Sequence, residues 1–436
     1  MSDNFYIWTL NEDRRPNACQ YYRITTPLYQ LSEMYPEVKV YEATSERPRE
    51  EIQAMIQADV VQLYSITGED ILHKVRVLKE MKPNDLNERT VYPPAVIYDV
   101  DDNTDFVHPF NRAFVRLGVR SYPDLHLLTK EDDELKWEDH KGRQMIGWKD
   151  GVTEADGHIF SIERNLYDMK IRHRLIRECH GATVASRSLA SYFREVIGQK
   201  NVYVFPNTVV PSDYEQVEVV RKDPECVRIL WQGSESHYID WYPLREALAE
   251  ITKKYPQVKW VIFGQWFNWV HEIIPDDRIE HHGWRRYESY KLKRGLLNAD
   301  INLCPLADNP FNRAKSAIKW YEASVWNKPE ATLAANVEPY HEIEDGVTGL
   351  LYKTPAEFVE KLSRLIEDAD LRKRLGHAAQ KWVLDNRTPE KTIPGLYDFY
   401  RECRDMRKRI DKPLIVPGTQ ADIKRLTRQE KALRGN

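Results

Sequence analysis

Cysteine is scarce and scattered: five residues in 436, at Cys19, Cys179, Cys226, Cys304 and Cys403, never in a C-x-x-C pair. The odd count and wide spacing argue against zinc and a disulfide framework and predict buried, reduced thiols. No stretch approaches the roughly 20 apolar residues that span a bilayer, so no transmembrane segment is expected. The opening MSDNFYIWTLNEDRR lacks a basic leader and a cleavable apolar core, which predicts a cytoplasmic chain without a secretion signal. Neither G-x-G-x-x-G nor a Walker loop occurs, which weighs against dehydrogenases and P-loop NTPases. Charge of one sign is also in short supply. Lys and Arg number 64 against 68 Asp and Glu, a net charge of −4, so nothing draws the whole molecule to nucleic acid. The distribution is uneven, with nine acids against four bases in residues 131–157 and eleven bases against five acids in 401–436.

What is present is a long globular chain. Its length suits about two domains, and 42% hydrophobic with 30% charged residues fits a packed, water-facing protein. Strand patterns at 4–10, 38–42, 59–66 and 95–100 alternate with helical patterns at 26–35, 48–58 and 69–81. Such alternation predicts a parallel sheet, whose ligands sit at the carboxyl ends of the strands. Residues 120–162 break into short polar pieces that read as a β-hairpin insertion. Helix, strand, helix and strand follow at 165–181, 182–186, 188–197 and 201–205, closing in Pro206-Asn207, and 211–224 reads as a linker.

A second series opens with a strand at 227–232 that ends at Gly233, where a glycine lets backbone approach a phosphate. Another strand at 258–263 ends at Gly264, followed by the aromatic knot Trp266, Phe267 and Trp269, which could stack a base or fill a core. His281 and His282 are neighbours on a strand and point to opposite faces, so they would not chelate one ion together. Amphipathic helices are expected at 287–298, 356–366, 371–384 and 393–409.

Residues 299–329, ADINLCPLADNPFNRAKSAIKWYEASVWNKP, carry the strongest chemical pattern. A buried strand at 301–306 is followed by a loop and then a helix on which Lys315, Lys319 and Glu322 share one face at i, i+4 and i+7. A helix N-terminus with Lys315 and Ser316 beside it would hold a phosphate through backbone N–H groups, a charge and a hydroxyl. Glu322 could accept two sugar hydroxyl protons; an ordinary exposed i, i+3 pair between Lys319 and Glu322 is the alternative. Asp99, Asp101 and Asp102 follow a hydrophobic strand, and carboxylates this close need a metal, a cation or a hydrogen-bond donor.

The run N-R-A-K-S-A-I-K-W-Y-E-A-S-V-W-N-K-P, with Pro339-Tyr340 and D-G-V-T-G-L-L at 345–351, resembles the donor-site signature of GT-B glycosyltransferases, above all the retaining family 4, glycosyl transferases group 1. The resemblance implies two Rossmann-like domains with parallel sheets facing across a cleft, and a C-terminal helix crossing back to the first domain. The domains would be 1–215 for the acceptor, with the hairpin insertion at about 120–162, and 225–392 for the donor. A crossover helix at 393–411 and a basic tail at 412–436 would follow. It gives Lys315 and Ser316 to the donor diphosphate and Glu322 to the nucleotide ribose, and makes Lys315, Glu322 and His108 the catalytic candidates. Gly233, Ser234, His237 and Lys319 join the donor site, with Ser234 and His237 standing where many members carry Arg and Lys. Arg23, Asp99, Asp101 and Asp102 would face the acceptor or the cleft. Ala314 stands where many members carry a second Glu, which leaves the donor sugar open.

The implied reaction is transfer of a glycosyl group from a nucleotide diphosphate sugar, of UDP or GDP type, to an acceptor hydroxyl, with retention and with no metal or other cofactor. The acceptor could be a small molecule, a glycan or a hydroxylated DNA base, the basic tail favouring DNA; the oligomeric state is not implied. Two alternatives remain. Asp99 and Asp101 mimic the metal-holding D-x-D of GT-A enzymes, and a non-catalytic GT-B scaffold would explain Ala314.

Overall fold

The structure, a computed structural model, describes residues 4–11, 18–43, 54–81, 84–86, 89–121, 125–129, 137–138, 144–145, 147–152, 157–214, 225–265, 267–283 and 285–408. Trp266, the tail at 412–436, linker positions 215–224, much of the acidic run 131–157 and most of the helix expected at 48–58 lie outside the described residues.

The chain divides into two compact units, one of Met1–Asp101, Tyr167–Pro206 and Pro389–Asn436, the other of Asp102–Leu166 and Asn207–Thr388. The first is built on a six-stranded sheet in the order Val202–Val204, Gly181–Val184, Ala95–Val100, Val60–Tyr64, Phe5–Asn11, Val38–Glu42. All its pairings are parallel. Every residue of Val60–Tyr64 and Ala95–Val100 is buried, as expected of central strands covered on both faces. The helix Pro389–Lys408 follows the second unit in the chain but packs on the first sheet. Ile393, Leu396, Tyr400 and Cys403 recur at helical spacing and are at most 1% exposed. Tyr400 donates to Gln62 Oε1 at 2.6 Å, and Arg407 Nη2 donates to the carbonyls of Leu78, Lys79 and Met81 at 3.2, 2.8 and 3.0 Å.

The second sheet is also six-stranded, in the order Ile279–His282, Val258–Gly264, Val227–Gly233, Ile301–Cys304, Ala331–Ala335, Leu350–Tyr352. It too is parallel throughout. Its core is rich in tryptophan: Trp231, Trp241, Trp260, Trp320 and Trp326 are all buried, and so are Phe267 and Trp269. The described part of the aromatic knot therefore serves packing. His281 and His282 have separate partners, the Gly264 carbonyl at 3.0 Å and Glu280 at 2.6 Å.

Val227–Gly233 lies between the strands that follow it in the chain on either side, so successive crossovers leave it in opposite directions and open a crevice at its carboxyl end. There Gly233 and Gly264 face each other in register. Gly264 has φ +121°, and a Cβ on it would lie 2.2 Å from the Gly233 carbonyl oxygen, so only glycine fits.

The segment Asp102–Leu166, which contains the insertion expected at about 120–162, groups with the second unit. Val107, Phe114, Leu128, Trp148 and Phe160 form a core of their own that takes in Phe311. Within it, Trp137–Glu138 and Gln144–Met145 form a short antiparallel pair.

Candidate functional site

The stretch 299–329 forms a strand, Ile301–Cys304, and then two short helices rather than one. Asn309 caps the first, Pro310–Arg313, by accepting from the Asn312 amide at 2.9 Å, with Pro310 preset at its start. The second is Ile318–Ser324. Lys315 and Ser316 thus lie in the turn between them, not in the first turn of a continuous helix. The break has a specific cause: the Asn312 side chain is held by the remote Asp240 and by the Ala307 carbonyl, at 2.6 and 2.9 Å, which fixes the first helix independently of the second.

Lys319 and Glu322 do share a helix face, and both look at the end of Val227–Gly233, yet they do not pair. Lys319 Nζ donates to His237 Nε2 at 2.9 Å. His237 Nδ1 lies 2.6 Å from Asp240 Oδ2, and Asp240 Oδ1 accepts from the Ala307 amide at 2.8 Å and from Asn312 Nδ2. Burial, with Lys319 beside it, pushes the His237 imidazole down to about 4. Burial also pulls the Lys319 ammonium down to about 8. At neutral pH the lysine is therefore the cation and the histidine is neutral. The partners assign the tautomer: Nε2 accepts from Lys319, so Nδ1 carries the proton toward Asp240. A Cβ on Gly233 would come within 2.9 Å of the His237 ring and 3.3 Å of Lys319 Nζ, so the glycine keeps this corner open to backbone.

Glu322 is buried, at 3% exposure, which removes the exposed-pair alternative. Its carboxylate accepts from Gln232 Nε2 and Tyr290 Oη, each at 2.9 Å, and from Tyr214 Oη at 3.4 Å. Gln232 Oε1 in turn accepts from Arg294 Nε at 2.8 Å, and Arg294 makes a bidentate pair with Glu330 at 2.7 and 2.5 Å. Tyr290 stacks on Phe263 with centroids 5.1 Å apart. The result is a buried carboxylate already holding hydroxyl groups, the chemistry that a sugar diol would substitute.

Lys315 Nζ reaches Asp102 Oδ1 at 3.3 Å and sits 4.3 Å above the Phe311 ring. Asn207 Nδ2 donates to Ser316 Oγ at 2.8 Å. Ser234 Oγ meets Ser236 Oγ at 2.6 Å. His108 is buried, accepts from the Phe110 amide at 3.2 Å and stacks on that ring at 5.3 Å. Burial pushes it down to about 4, against the pull of Asp240. Phe110 continues to Tyr238 at 4.7 Å. The second unit thus collects Lys315, Ser316, Lys319, Glu322, Gly233, Ser234, His237, His108 and Asp102.

Arg23, Asp99 and Asp101 belong to the first unit. Arg23 sits in a π-helical turn, Tyr21–Thr25, and pairs with Asp99 through Nε at 3.0 Å and Nη2 at 2.7 Å. It also donates to the Phe205 carbonyl, and Thr183 donates to Asp99 at 2.5 Å. Both side chains are at most 1% exposed. Asp101 accepts from Tyr64 Oη at 3.3 Å. The three clustered carboxylates are thus satisfied by a guanidinium, hydroxyls and an ammonium. Among the described residues no group of three or more His, Cys, Asp or Glu is disposed to hold a metal ion.

Asp240, Asn312, Gln232, Arg294, Tyr214 and Tyr290 escaped the sequence reading as site residues. One signal was available: Gln232 is an uncharged polar residue that ends the apolar run Ile229–Trp231, directly before Gly233. Arg294 and Tyr290 belong to an amphipathic helix, and nothing in their spacing told which polar group turned inward.

Residues 243–382, within the second unit, match the model of the family Glycosyl transferases group 1. Among solved structures the chain is similar to Anabaena HepE, at 13% identity and a TM-score of 0.54, over 92% of this chain and 100% of that one. It is also similar to sucrose-phosphate synthase of Thermosynechococcus elongatus, at 11% identity and a TM-score of 0.56, with the same coverage. A glycosyltransferase of Rickettsia africae matches at 12% identity and a TM-score of 0.54, over 92% and 99%. No curated protein sequence matches the chain. The fold is GT-B.

Proposed function

We propose that the chain transfers a glycosyl group from a nucleoside diphosphate sugar of UDP type to an acceptor hydroxyl, with retention of configuration and without a metal ion. The observation that carries the reading is the pairing, around the end of Val227–Gly233, of a buried carboxylate holding phenol hydroxyls with two lysines. Glu322 would exchange its tyrosine partners for the ribose hydroxyls. Lys315, Lys319, Ser316 and the Gly233–Ser234 backbone would take the diphosphate. Charge grows on the departing diphosphate as the glycosidic bond breaks, and ammonium groups held in a water-poor corner stabilise that charge most. His108, neutral at physiological pH, would lie beside the transferred sugar as a hydrogen-bonding group, and Asp102 would keep Lys315 in place until the donor arrives. Anabaena HepE has been crystallised with UDP and with UDP-glucose, which favours the uridine nucleotide over GDP here.

The test is thermal stabilisation by UDP, GDP, CDP, ADP and dTDP, with and without magnesium or manganese, in the unaltered chain and in Lys315→Ala and Glu322→Ala. A shift with UDP that needs no metal and vanishes in both variants is the expected result. A shift with no nucleotide would move the reading to a non-catalytic GT-B scaffold.

A further inference from the structure

The corner at Gly233 holds an electrostatic imbalance. The Lys319 ammonium is buried, and its side-chain hydrogen-bond partner is a neutral imidazole nitrogen; among the described residues no carboxylate lies in ion-pair reach, and Asp240 and Glu322 act on it only at longer range. The imidazole itself is tightly held. Asp240 accepts His237 Nδ1–H on one oxygen and, on the other, the Ala307 amide and the Asn312 side chain. Asp240 and Asn312 are 4% and 2% exposed, so the carboxylate has no freedom to release the ring. His237 can neither flip nor move its proton to Nε2 without breaking the bond to Asp240.

We propose that Asp240 and Asn312 are positioning residues that keep His237 Nε2 as a proton acceptor. A donor diphosphate would draw Lys319 off that nitrogen, and His237 would then take one proton from solvent and become a second cation facing the phosphates. This rests on the donor-site reading above and extends it. The balance is simple: one N–H bond forms on Nε2, the proton comes from water or buffer, and no other covalent bond changes. The anion supplies a counter-charge to Lys319 and adds to the one that Asp240 already gives His237.

The groups facing His237 set the direction. Asp240, on its own helix Tyr238–Trp241, favours the imidazolium; Lys319 from Ile318–Ser324 and Lys315 from the turn before it oppose it. The Trp231 ring closes the remaining side edge-on at 6.4 Å. On the far side His108 feels the same Asp240 charge, and Lys319 is faced by Cys304, Asp240 and Glu322, with Lys315 opposing them. Moving Lys319 onto a phosphate removes the nearest opposing charge while Asp240 stays. Diphosphate binding is therefore coupled to proton uptake and strengthens as the pH falls from 8 toward 6.

The experiment is calorimetric titration of the full chain with UDP at pH 7.5, in two buffers of different ionisation enthalpy. Protons that UDP itself exchanges are common to all variants and cancel in comparison. The unaltered chain is expected to take up close to one proton more than His237→Gln, whose binding weakens about tenfold, the scale of one charge-assisted hydrogen bond, and keeps only the pH dependence that UDP and Lys319 bring. Asp240→Asn is expected to bind UDP with much of that extra uptake gone, and it decides the matter should the histidine variant fail to fold. Equal uptake in the unaltered chain and in whichever of these variants folds, with UDP binding that still depends on Lys315 and Glu322, would overturn this inference alone. Absence of UDP binding in the unaltered chain would overturn the donor-site reading and this inference with it.

Discussion

Each unit buries a cation near the carboxyl end of its sheet, and the two cations are treated in opposite ways. In the first, Arg23 faces Asp99 through two parallel hydrogen bonds, and Thr183 and the Phe205 carbonyl take up further capacity. In the second, Lys319 faces the neutral ring of His237. The first arrangement is closed: charge cancels charge, and the planar guanidinium fork matches the carboxylate. The second is open. A buried ammonium with no ion-pair partner among the described residues costs free energy that, on the proposed donor reading, an incoming phosphate would return. Arg294 and Glu330 make the same point inside the second unit, since their closed pair steadies Gln232, which in turn holds Glu322.

The largest effect should come from breaking the closed pair. Arg23→Ala leaves Asp99 buried without its cation, and a loss of about 3–5 kcal/mol in denaturant unfolding is expected. A loss below about 1 kcal/mol would mean that the pair is not the closed structural unit described. The open cation should behave in reverse. Lys319→Met is expected to leave stability unchanged or raised, because it removes an unbalanced buried charge, while the UDP-induced thermal shift disappears. If the donor reading holds, Lys315→Ala and Lys319→Met each lower kcat/KM by about 10²–10³-fold, the scale for losing one preorganised donor to a developing oxyanion.

Acid should also distinguish the units. His180 in the first and His237 in the second are both pushed down to about 4, mainly by burial. Below an unfolded value near 6.5 the unfolded chain binds more protons than the folded one, so stability falls as pH drops from 6.5 toward 4, by up to roughly 3 kcal/mol per residue. His180→Gln and His237→Gln should each remove their share of that slope in unfolding midpoints measured between pH 4 and 7. Lys319 acts at the other end: with its folded value near 8, stability rises with pH from 8 toward 10.5, and Lys319→Met abolishes the rise. The smallest effect is expected for Tyr290→Phe. Removing one phenol hydrogen bond to the Glu322 carboxylate, which keeps those from Gln232 and Tyr214, shifts stability by about 1.5 kcal/mol. It should tighten UDP binding a few-fold, since the ribose no longer has to displace the phenol. Weaker binding would instead make Tyr290 part of the nucleotide contact.

Much of this was legible in the chain because period and punctuation carry it. The strands expected at 38–42, 95–100 and 227–232 are rich in β-branched and aromatic residues, and each is a strand in the structure. Lys319 and Glu322 share a face because three residues separate them on a helix. Other features depended on partners remote in the chain. Arg23 and Asp99 are 76 residues apart, and only their meeting makes them a pair instead of two exposed charges. Nothing in the local pattern of 310–324 signalled a broken helix, because the side chain that fixes Pro310–Arg313 answers to Asp240, 72 residues away.

By itself, then, the sequence determined the alternation of strands and helices, the tight glycine ends of the second sheet, and the residue types able to hold a diphosphate and a diol. Local hydrophobic period and backbone freedom act within a few residues and need no partner. The tertiary structure decided which charges are closed and which are open: whether a lysine meets an aspartate or an imidazole, and whether a glutamate is exposed or already holding hydroxyls. Pairing of buried charge depends on what the fold brings within about 3 Å, since desolvation makes each contact decisive only once water is gone.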